Sequence, residues 1–353
     1  MLRNKVLGMA IGGVLALAAT NVSAEKIGGE INVLSWGDYI DFAIKPFEEK
    51  YGTTVNIDYY GSEQEAINKI RAAGLGTYDV VFLGVGFDDV AMKQGLIEPI
   101  DVSKIESFDD LYEPFRRPKP DGKHYCVTYA WGANGLIAYN PDKVEEPIAS
   151  WADVFSGRYD GRIGRIDKAN EQTWRAAFMA GFDYGPLTEE QWETVAALVE
   201  KNLQQARTIY SHYDQMAQLL ANEEIWIADT DDGGFRQAKA RGANIELVYP
   251  EDGFWGWYDG PCVVAEAPHP EAAYAFINHL MSAEMQAMLA EELGYSPTNA
   301  KAVPLMDAET RAMLGMDAAE KNISELQFQY DLGAETNSRM LEIWQNAKVK
   351  YGR

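Results

Sequence analysis

Two stretches of the chain place aromatic rings beside carboxylates, a combination that suits a small organic cation. The first is Trp36-Gly37-Asp38-Tyr39, directly after the apolar run 31–34, and the second is Phe254–Asp259, which reads Phe-Trp-Gly-Trp-Tyr-Asp. Ring faces attract a cation through their quadrupole, and a carboxylate neutralises its charge. The first stretch equally permits a structural interpretation, in which Trp36 and Tyr39 only close the edge of a sheet.

The elements around these stretches predict an α/β protein. The runs 31–34 and 78–83 are typical of buried strands in a parallel sheet, and Ser62 with Glu65 forms a capping-box pattern ahead of a helix. Because ligands of open α/β sheets lie outside the carboxyl ends of the strands, residues 36–39 stand at a predicted binding edge. Gly84-Val85-Gly86 follows the second run but lacks the third glycine of a nucleotide-binding fingerprint, which argues against a nucleotide cofactor.

Residues 1–24 predict a signal peptide that is cleaved after Ala24. The segment has a basic start, an apolar run at 7–19 and a small-residue cleavage site at 22–24, so we expect an exported protein. The chain has a formal net charge of −23, which becomes −25 without Arg3 and Lys5. A surface of this charge repels nucleic acid, so we expect no nucleic-acid partner.

Residues that could carry catalysis or bind a metal do not form a recognisable constellation. The four histidines match neither zinc-ligand spacing nor a nucleophile-elbow serine motif. The acidic run 229–233 has part of a calcium loop but lacks the remaining ligands. Asp167 and Glu171 could form an acid–base pair, although a helix N-cap at Asp167 is the simpler interpretation. We expect no enzymatic activity, cofactor or metal, and an exported hydrolase is the less favoured alternative.

Six short segments, in order along the chain, resemble one known family. They are Ser-Trp-Gly-Asp-Tyr at 35–39, Tyr-Asp-Val-Val at 78–81, Tyr-Ala-Trp-Gly at 129–132, Ser-Trp-Ala-Asp at 150–153, Trp-Tyr-Asp at 257–259 and Gly-Tyr-Ser-Pro at 294–297. With these segments, nearly the whole mature chain resembles the periplasmic spermidine/putrescine-binding proteins, which are extracellular solute-binding proteins of ABC importers. The resemblance implies a periplasmic monomer that delivers its ligand to an ABC transporter permease.

The implied fold class is α/β, with the two-lobed, type II-like fold of periplasmic binding proteins and a ligand cleft between the lobes. The first lobe is expected to comprise 25–135, with 260–312 returning to it. The second is expected to comprise 136–259, with the C-terminal helices of 313–353 packing on it. The predicted crossings lie near 133–135 and 259–261, which would bring the only two cysteines, Cys126 and Cys262, into the same lobe. Because the protein is expected to be exported, these cysteines could form a disulfide. The alternative is that they are two buried thiols too far apart to bond.

The resemblance also implies which residues bind the ligand, with rings packing on a methylene chain and acids binding the amino groups. The matching positions are Trp36, Asp38, Tyr39, Glu171, Trp257, Asp259, Tyr295 and Gln329. Trp255 is an additional ring beside them, and Asp231 falls where the family usually has a tryptophan. Asp231 is included among the expected ligand-binding residues on the hypothesis that it faces the cleft.

Three further positions depart from the family pattern. Gly84 and Gly86 replace a serine and a tyrosine, and Lys168 stands where an acid is common. The expected ligand is therefore a polyamine or a related organic cation. The alternative is a zwitterionic amine such as an opine, an aminophosphonate or an amino acid, whose anionic end would bind Arg165, Lys168 or the backbone amides of 84–86.

Overall fold

The structure is a computed structural model that describes residues 26–328 and 332–352. The predicted signal peptide and Gln329 lie outside the described residues. The strands are β1 Glu30–Ser35, β2 Thr54–Tyr59, β3 Val80–Gly84, β4 Ala130–Asn134, β5 Leu136–Tyr139, β6 Ile163–Ile166, β7 Ala206–Tyr210, β8 Ile227–Thr230, β9 Glu246–Val248, β10 Trp255–Val263, β11 Ser296–Pro297 and β12 Gln327–Phe328.

The α-helices are α1 Asp41–Tyr51, α2 Glu63–Ala73, α3 Phe87–Lys93, α4 Trp151–Val154, α5 Ala169–Met179, α6 Glu189–Gln205, α7 Tyr213–Ala221, α8 Asp232–Ala240, α9 Pro270–Met281, α10 Ala283–Leu293, α11 Ala308–Met313, α12 Ala319–Glu325 and α13 Gly333–Tyr351. Short 3₁₀ turns lie at 102–104, 108–110, 113–116, 300–305 and 316–318. None of the helices in the described ranges combines the length and the apolar character needed to cross a bilayer.

The strands form two sheets, which confirms the predicted two-lobed α/β fold. The larger sheet has the order β11-β4-β10-β3-β1-β2, with β12 paired to β10, and the smaller has the order β7-β6-β8-β5-β9. In the larger sheet β1 runs parallel to β2 and β3, whereas β10 is antiparallel to β3 and β4. The register of β10 places Asp259 opposite both Gly84 of β3 and Ala130 of β4.

The first crossing between the sheets is the single residue Gly135, between β4 and β5. Gly135 has φ +76°, and a Cβ on it would lie 2.2 Å from the indole of Trp255. A larger residue would therefore be strained in its backbone and would also clash with this ring. The predicted crossing near 133–135 coincides with this glycine.

The return crossing precedes β10. Because β10 pairs with β4 from Trp255 onward, the backbone of residues 255–259 belongs to the larger sheet and not to the second lobe, where these residues were expected. The Trp255 side chain nevertheless packs into the core of the second lobe. Gly260 and Pro261 lie within the strand and do not end it. A Cβ on Gly260 would lie 1.9 Å from the carbonyl oxygen of Val127, so this glycine permits close backbone packing.

The C-terminal segment is divided between the lobes. Helix α12 contributes Ile323 to a cluster with Phe115 and Trp131 beside the larger sheet. Helix α13 packs on α5 and α6, where Trp344 joins Trp174 in the core of the second lobe. Of the segment 313–353, which the sequence analysis assigned to the second lobe, α13 packs in that lobe and α12 does not.

Cys126 and Cys262 form a disulfide, with their Cα atoms 4.1 Å apart. The two residues face each other across an antiparallel bridge on the first-lobe side of the crossings. The closed loop has a sequence separation of 136 residues and includes the strands of the smaller sheet. The bridge therefore fastens the outgoing and returning segments together within the first lobe.

We expect the double variant Cys126→Ala/Cys262→Ala to lose roughly 3–5 kcal/mol of unfolding free energy, since cross-linking a loop of this length restricts the unfolded chain. Urea unfolding of the variant and the wild type measures the difference. The wild type with reductant should approach the variant, and the variant should be insensitive to reductant. Two thiols alkylated in the wild type without reductant, detected by intact mass, would contradict the bridge.

Candidate functional site

The two aromatic and acidic stretches meet at one cavity. The cavity has a volume of about 280 Å³ and is lined by Trp36, Gly37, Tyr39, Trp257, Asp259 and Tyr295. Trp36, Gly37 and Tyr39 follow the carboxyl end of β1, in agreement with the strand-end rule. β10 contributes Trp257 and Asp259, and Tyr295 lies between α10 and β11.

Rings in edge-to-face contact build the walls. The Tyr39 ring contacts Trp36 at a centroid distance of 5.3 Å and Tyr295 at 5.5 Å, and Tyr295 contacts Trp257 at 5.7 Å. Trp257 lies directly on Gly132, where a Cβ would be 2.5 Å from the indole. These contacts fix the rings relative to one another, so the cavity is largely formed before any ligand arrives.

Asp259 supplies the carboxylate at the base of this cavity. It is 8% exposed and accepts a hydrogen bond of 2.5 Å from the Tyr39 hydroxyl. Burial raises the pKa of Asp259 to about 8, a rise to which the charge of Glu63 adds and which the Tyr39 hydrogen bond opposes. Burial and Asp259 together raise the pKa of Tyr39 well above its ordinary value, so the phenol stays protonated and donates.

A second set of expected ligand-binding residues lies at the strand ends of the smaller sheet. Glu171, in the first turn of α5, is buried and forms an ion pair with Lys168 at 2.9 Å. The Lys168 ammonium also lies 5.0 Å from the centre of the Tyr213 ring. Burial raises the pKa of Glu171, although the charges of Lys168 and Arg175 oppose the rise. Lys168, the departure noted in the sequence, therefore pairs with the acid that the resemblance assigned to a ligand amine.

Asp231 caps the N-terminus of α8, accepting a hydrogen bond of 2.6 Å from the Gly234 amide. Burial and the neighbouring Asp232 raise the pKa of Asp231 to about 6. Burial also raises the pKa of Tyr295, and Asp259 and Asp231 both contribute to that rise. Acidic side chains of both lobes therefore lie close enough to Tyr295 to raise its pKa.

Two expected ligand-binding residues lie away from the cavity. Asp38 is exposed, with φ +61°, and its charge acts on Tyr59. Trp255 is 1% exposed, packs on Phe178 at 6.0 Å and belongs to the core of the second lobe. Trp255 shares a strand face with Trp257, but its indole lies over the hinge glycine Gly135. The sequence pattern could not separate these two indoles.

Most of the groups expected to bind the anionic end of a zwitterionic ligand already have partners within the protein. The Arg165 guanidinium forms an ion pair with Asp229 at 3.2 Å in the core of the second lobe. The Val85 amide donates to the Tyr258 carbonyl and the Gly86 amide to the Asp88 carboxylate.

The acidic run 229–233, which has part of a calcium loop, begins with Asp229, and Asp229 forms ion pairs with Arg165 and Arg175. Burial opposes ionisation of Asp229, but Arg175 and Arg165 hold the pKa of this carboxyl below its ordinary value. Within residues 26–328 and 332–352, no group of three or more histidine, cysteine, aspartate or glutamate side chains is arranged to hold a metal.

Sequence reasoning missed three residues beside the expected ones. Tyr60 packs on Trp36 at a centroid distance of 5.1 Å, Tyr213 covers Lys168, and Glu63 lies close enough to Asp259 to affect its pKa. Tyr60, Glu63 and Tyr213 all follow the carboxyl end of a strand, β2 or β7. The strand-end rule that found Trp36 also points to these segments, but the approach of Glu63 to Asp259 depends on the sheet register.

A cavity of rings and a buried acid at the strand ends of one lobe, facing strand-end charges of a second lobe, is the arrangement of a two-lobed solute-binding protein. The family model for bacterial extracellular solute-binding proteins matches residues 43–314, and the chain belongs to that family.

Two curated relatives and one solved structure illustrate the similarity. The spermidine/putrescine-binding periplasmic protein of Escherichia coli is 27% identical over 344 residues, 97% of either chain. A putrescine-binding periplasmic protein of Pseudomonas aeruginosa is 28% identical over 92% of either chain. The substrate-binding protein of a spermidine/putrescine ABC transporter from Streptococcus pneumoniae, in complex with calcium and HEPES, has a TM-score of 0.81 at 24% identity, covering 91% of this chain and 99% of that one.

The variant Asp259→Asn tests the burial of this carboxyl without any ligand. Because the folded-state pKa lies above the ordinary value near 4, the folded wild type keeps a proton that the unfolded chain releases, and its unfolding free energy falls as the pH rises from about 4 to about 8. The variant lacks this titration. We expect its stability relative to the wild type to increase by up to about 5 kcal/mol between pH 4 and pH 9, at about 1.4 kcal/mol per pKa unit.

Urea unfolding across this pH range measures the effect. Asp160→Asn, at an exposed position, is the matched control and should show no such trend. A constant stability difference between Asp259→Asn and the wild type at all pH values would contradict the elevated pKa.

Proposed function

We propose that this chain is the periplasmic substrate-binding protein of an ABC importer and that it captures a polyamine or a related organic cation. The observation that carries the proposal is Asp259, a buried carboxyl group beneath aromatic rings that has no protein cation beside it in the described part of the chain. The names of the curated relatives support the same ligand class and the periplasmic location. The ligand is then delivered to a membrane permease.

The cavity has the chemistry that an alkylammonium group requires. The Trp257 and Tyr295 rings offer faces and edges to a methylene chain, and Asp259 offers an acceptor to the ammonium. A desolvated contact between a cation and a ring contributes roughly 2 kcal/mol. A metal ion would instead need several oxygens converging on one point. The expected event is binding and release without turnover, as suits a family of solute-binding proteins.

One observation favours a second candidate, a zwitterionic amine. Arg236 of α8 reaches towards the first lobe, with its guanidinium 5.9 Å from the Tyr295 ring centre. Its buried Nη1 atom has no hydrogen-bond partner. A ligand with an amine at Asp259 and a carboxylate at Arg236 would satisfy both groups. An amino acid of this kind therefore belongs in the ligand panel beside the polyamines.

Titration calorimetry with putrescine, spermidine and 4-aminobutyrate tests the ligand class. We expect the wild type to bind at least one polyamine and Asp259→Asn to bind it roughly thirty-fold more weakly or worse, since removing one partner of a buried charge pair costs about 2–5 kcal/mol and about 1.4 kcal/mol is tenfold. Trp257→Ala should have a comparable effect because it removes a ring wall. Binding of 4-aminobutyrate alone would favour the zwitterion.

Two control variants lie outside the cavity. Asp160→Asn changes an exposed acid, and Trp226→Ala removes an indole that precedes β8, at the opposite end of that strand from Asp231. Both should keep the wild-type affinity. If the wild type binds none of the amines, or if Asp259→Asn binds them as well as the wild type does, the cationic site is wrong.

Small-angle scattering tests whether the lobes close on the ligand. The cavity walls belong to the first lobe, and full enclosure needs the strand ends of the second, so ligand binding should favour a closed arrangement. We expect the radius of gyration to decrease when a tightly bound polyamine is added to the wild type. Asp259→Asn at the same ligand concentration is the control. A saturated wild type with an unchanged radius would exclude closure.

A further inference from the structure

Glu63 lies beside the cavity in a position that a glycine makes available. It is the first residue of α2, and its Oε1 atom would be only 2.9 Å from a Cβ built on Gly84. The same Cβ would lie 4.0 Å from the Cβ of Asp259, which pairs with Gly84 in the sheet register. The Glu63 carboxylate and the Asp259 side chain are therefore within about 7 Å of each other, the sum of these two distances.

No protein cation compensates these two acids. In the described ranges Glu63 forms no ion pair, and the hydrogen bond to Asp259 comes from the neutral Tyr39 hydroxyl. The charge of Glu63 acts on its surroundings, since it adds to the burial that raises the pKa of both Asp259 and Tyr60. At neutral pH the raised pKa keeps Asp259 mostly protonated, and a cationic ligand would favour its ionised form beside Glu63.

The acids of the second lobe differ in this respect. Glu171 is paired with Lys168 at 2.9 Å, and Asp229 with Arg175 at 2.9 Å. Glu171 and Asp229 therefore have protein cations beside them, whereas Glu63 and Asp259 have no ion-pair partner within the described residues.

We propose that Glu63 is a second ligand-binding carboxylate and that one ammonium group of the ligand binds between Glu63 and Asp259, in the space left by the missing side chain of Gly84. This inference rests on the proposed function, because it names the partner of Asp259 within the same site. An ammonium group has three N–H donors, and the two acids approach it from different elements, α2 and β10. A bond of about 2.8 Å to each acid requires the two acceptor oxygens to lie within about 5.6 Å of each other. Glu63 Oε1 lies within about 7 Å of the Asp259 Cβ, from which the second carboxyl group extends.

Gly84 allows the Glu63 carboxylate its present position. Any other residue at position 84 would place a Cβ 2.9 Å from Glu63 Oε1, so this carboxylate would have to shift. Because Glu63 offers a charged acceptor, this site should select more strongly for an ammonium group than for a neutral amine or alcohol.

Putrescine titration by calorimetry tests the proposal with Glu63→Gln and its control Glu65→Gln. Glu65 lies two residues further along the same helix, is half exposed and pairs with Lys69 at 3.9 Å. We expect Glu63→Gln to weaken putrescine binding about tenfold, an effect below that of Asp259→Asn because Glu63 is only half-buried. Glu65→Gln should bind as the wild type does.

A double-mutant cycle supplies the second test. Gly84→Ala should displace the Glu63 carboxylate and weaken putrescine binding, but it should cost much less in the Glu63→Gln background, where the charge is already absent. A ligand-free measurement accompanies it. Glu63→Gln should lower the pH at which Asp259 titrates, seen as a downward shift of the pH interval over which the unfolding free energy falls.

The outcomes separate the two proposals. Weakened binding in Asp259→Asn with unchanged binding in Glu63→Gln would overturn the role of Glu63 and leave the proposed function standing. Additive effects in the cycle would also overturn it. Absence of polyamine binding by the wild type would overturn the proposed function, and this inference with it.

Discussion

A buried carboxyl group without a cation of its own, Asp259, is the constraint on which the rest of the site depends. In water it would ionise readily, but here burial raises its pKa to about 8, and among the described residues its side chain accepts a hydrogen bond only from the Tyr39 hydroxyl. The fold tolerates this cost because β10 pairs on both sides, with β3 and β4, and so cannot move the side chain to solvent. Burial of this carboxyl group costs stability once the group ionises, and a bound cation would offset that cost. Carboxyl groups with such a raised pKa are typical of binding and catalytic sites.

The two lobes differ in how their charged side chains are paired, so the two sides of the cleft differ electrostatically. In the second lobe, Arg165 and Arg175 flank Asp229, and Lys168 neutralises Glu171. These pairs compensate the charges of Asp229 and Glu171, whereas Arg236 keeps a buried Nη1 atom without a hydrogen-bond partner. The first lobe has rings and unpaired acids, so a cation gains most of its electrostatic stabilisation there. Binding would accordingly begin on the first lobe, and the second lobe would add enclosure.

Much of this architecture could be predicted from the sequence, because it depends on local patterns. Apolar runs followed by rings and acids indicate strand ends, and that rule brought Trp36, Tyr39, Trp257 and Asp259 to one cavity. The same local information could not separate Trp255 from Trp257, since only the position of Gly135 across the sheet decides which indole enters the second lobe.

Longer-range geometry accounts for the other differences. The return crossing was placed too late because Gly260 and Pro261 look like a strand end, whereas in the fold they allow close packing on Val127. The sequence shows Glu63 only as a residue near the start of a helix. Its approach to Asp259 depends on Gly84, which is 21 positions away in sequence and pairs with Asp259 in the sheet. The disulfide was a hypothesis that needed the register of β10 to decide it.

Strand β10 connects the cavity with the cores of both lobes. Its first residue, Trp255, is packed in the core of the second lobe, and Val263 at its other end is packed in the core of the first. Trp257 and Asp259 lie between these anchors, and the disulfide at Cys262 ties the strand to the segment that leads into β4. A ligand that contacts Trp257 and Asp259 therefore contacts a strand that packs in both lobes. The contacted residues pair with Gly132 and Ala130, three and five residues before the hinge glycine Gly135.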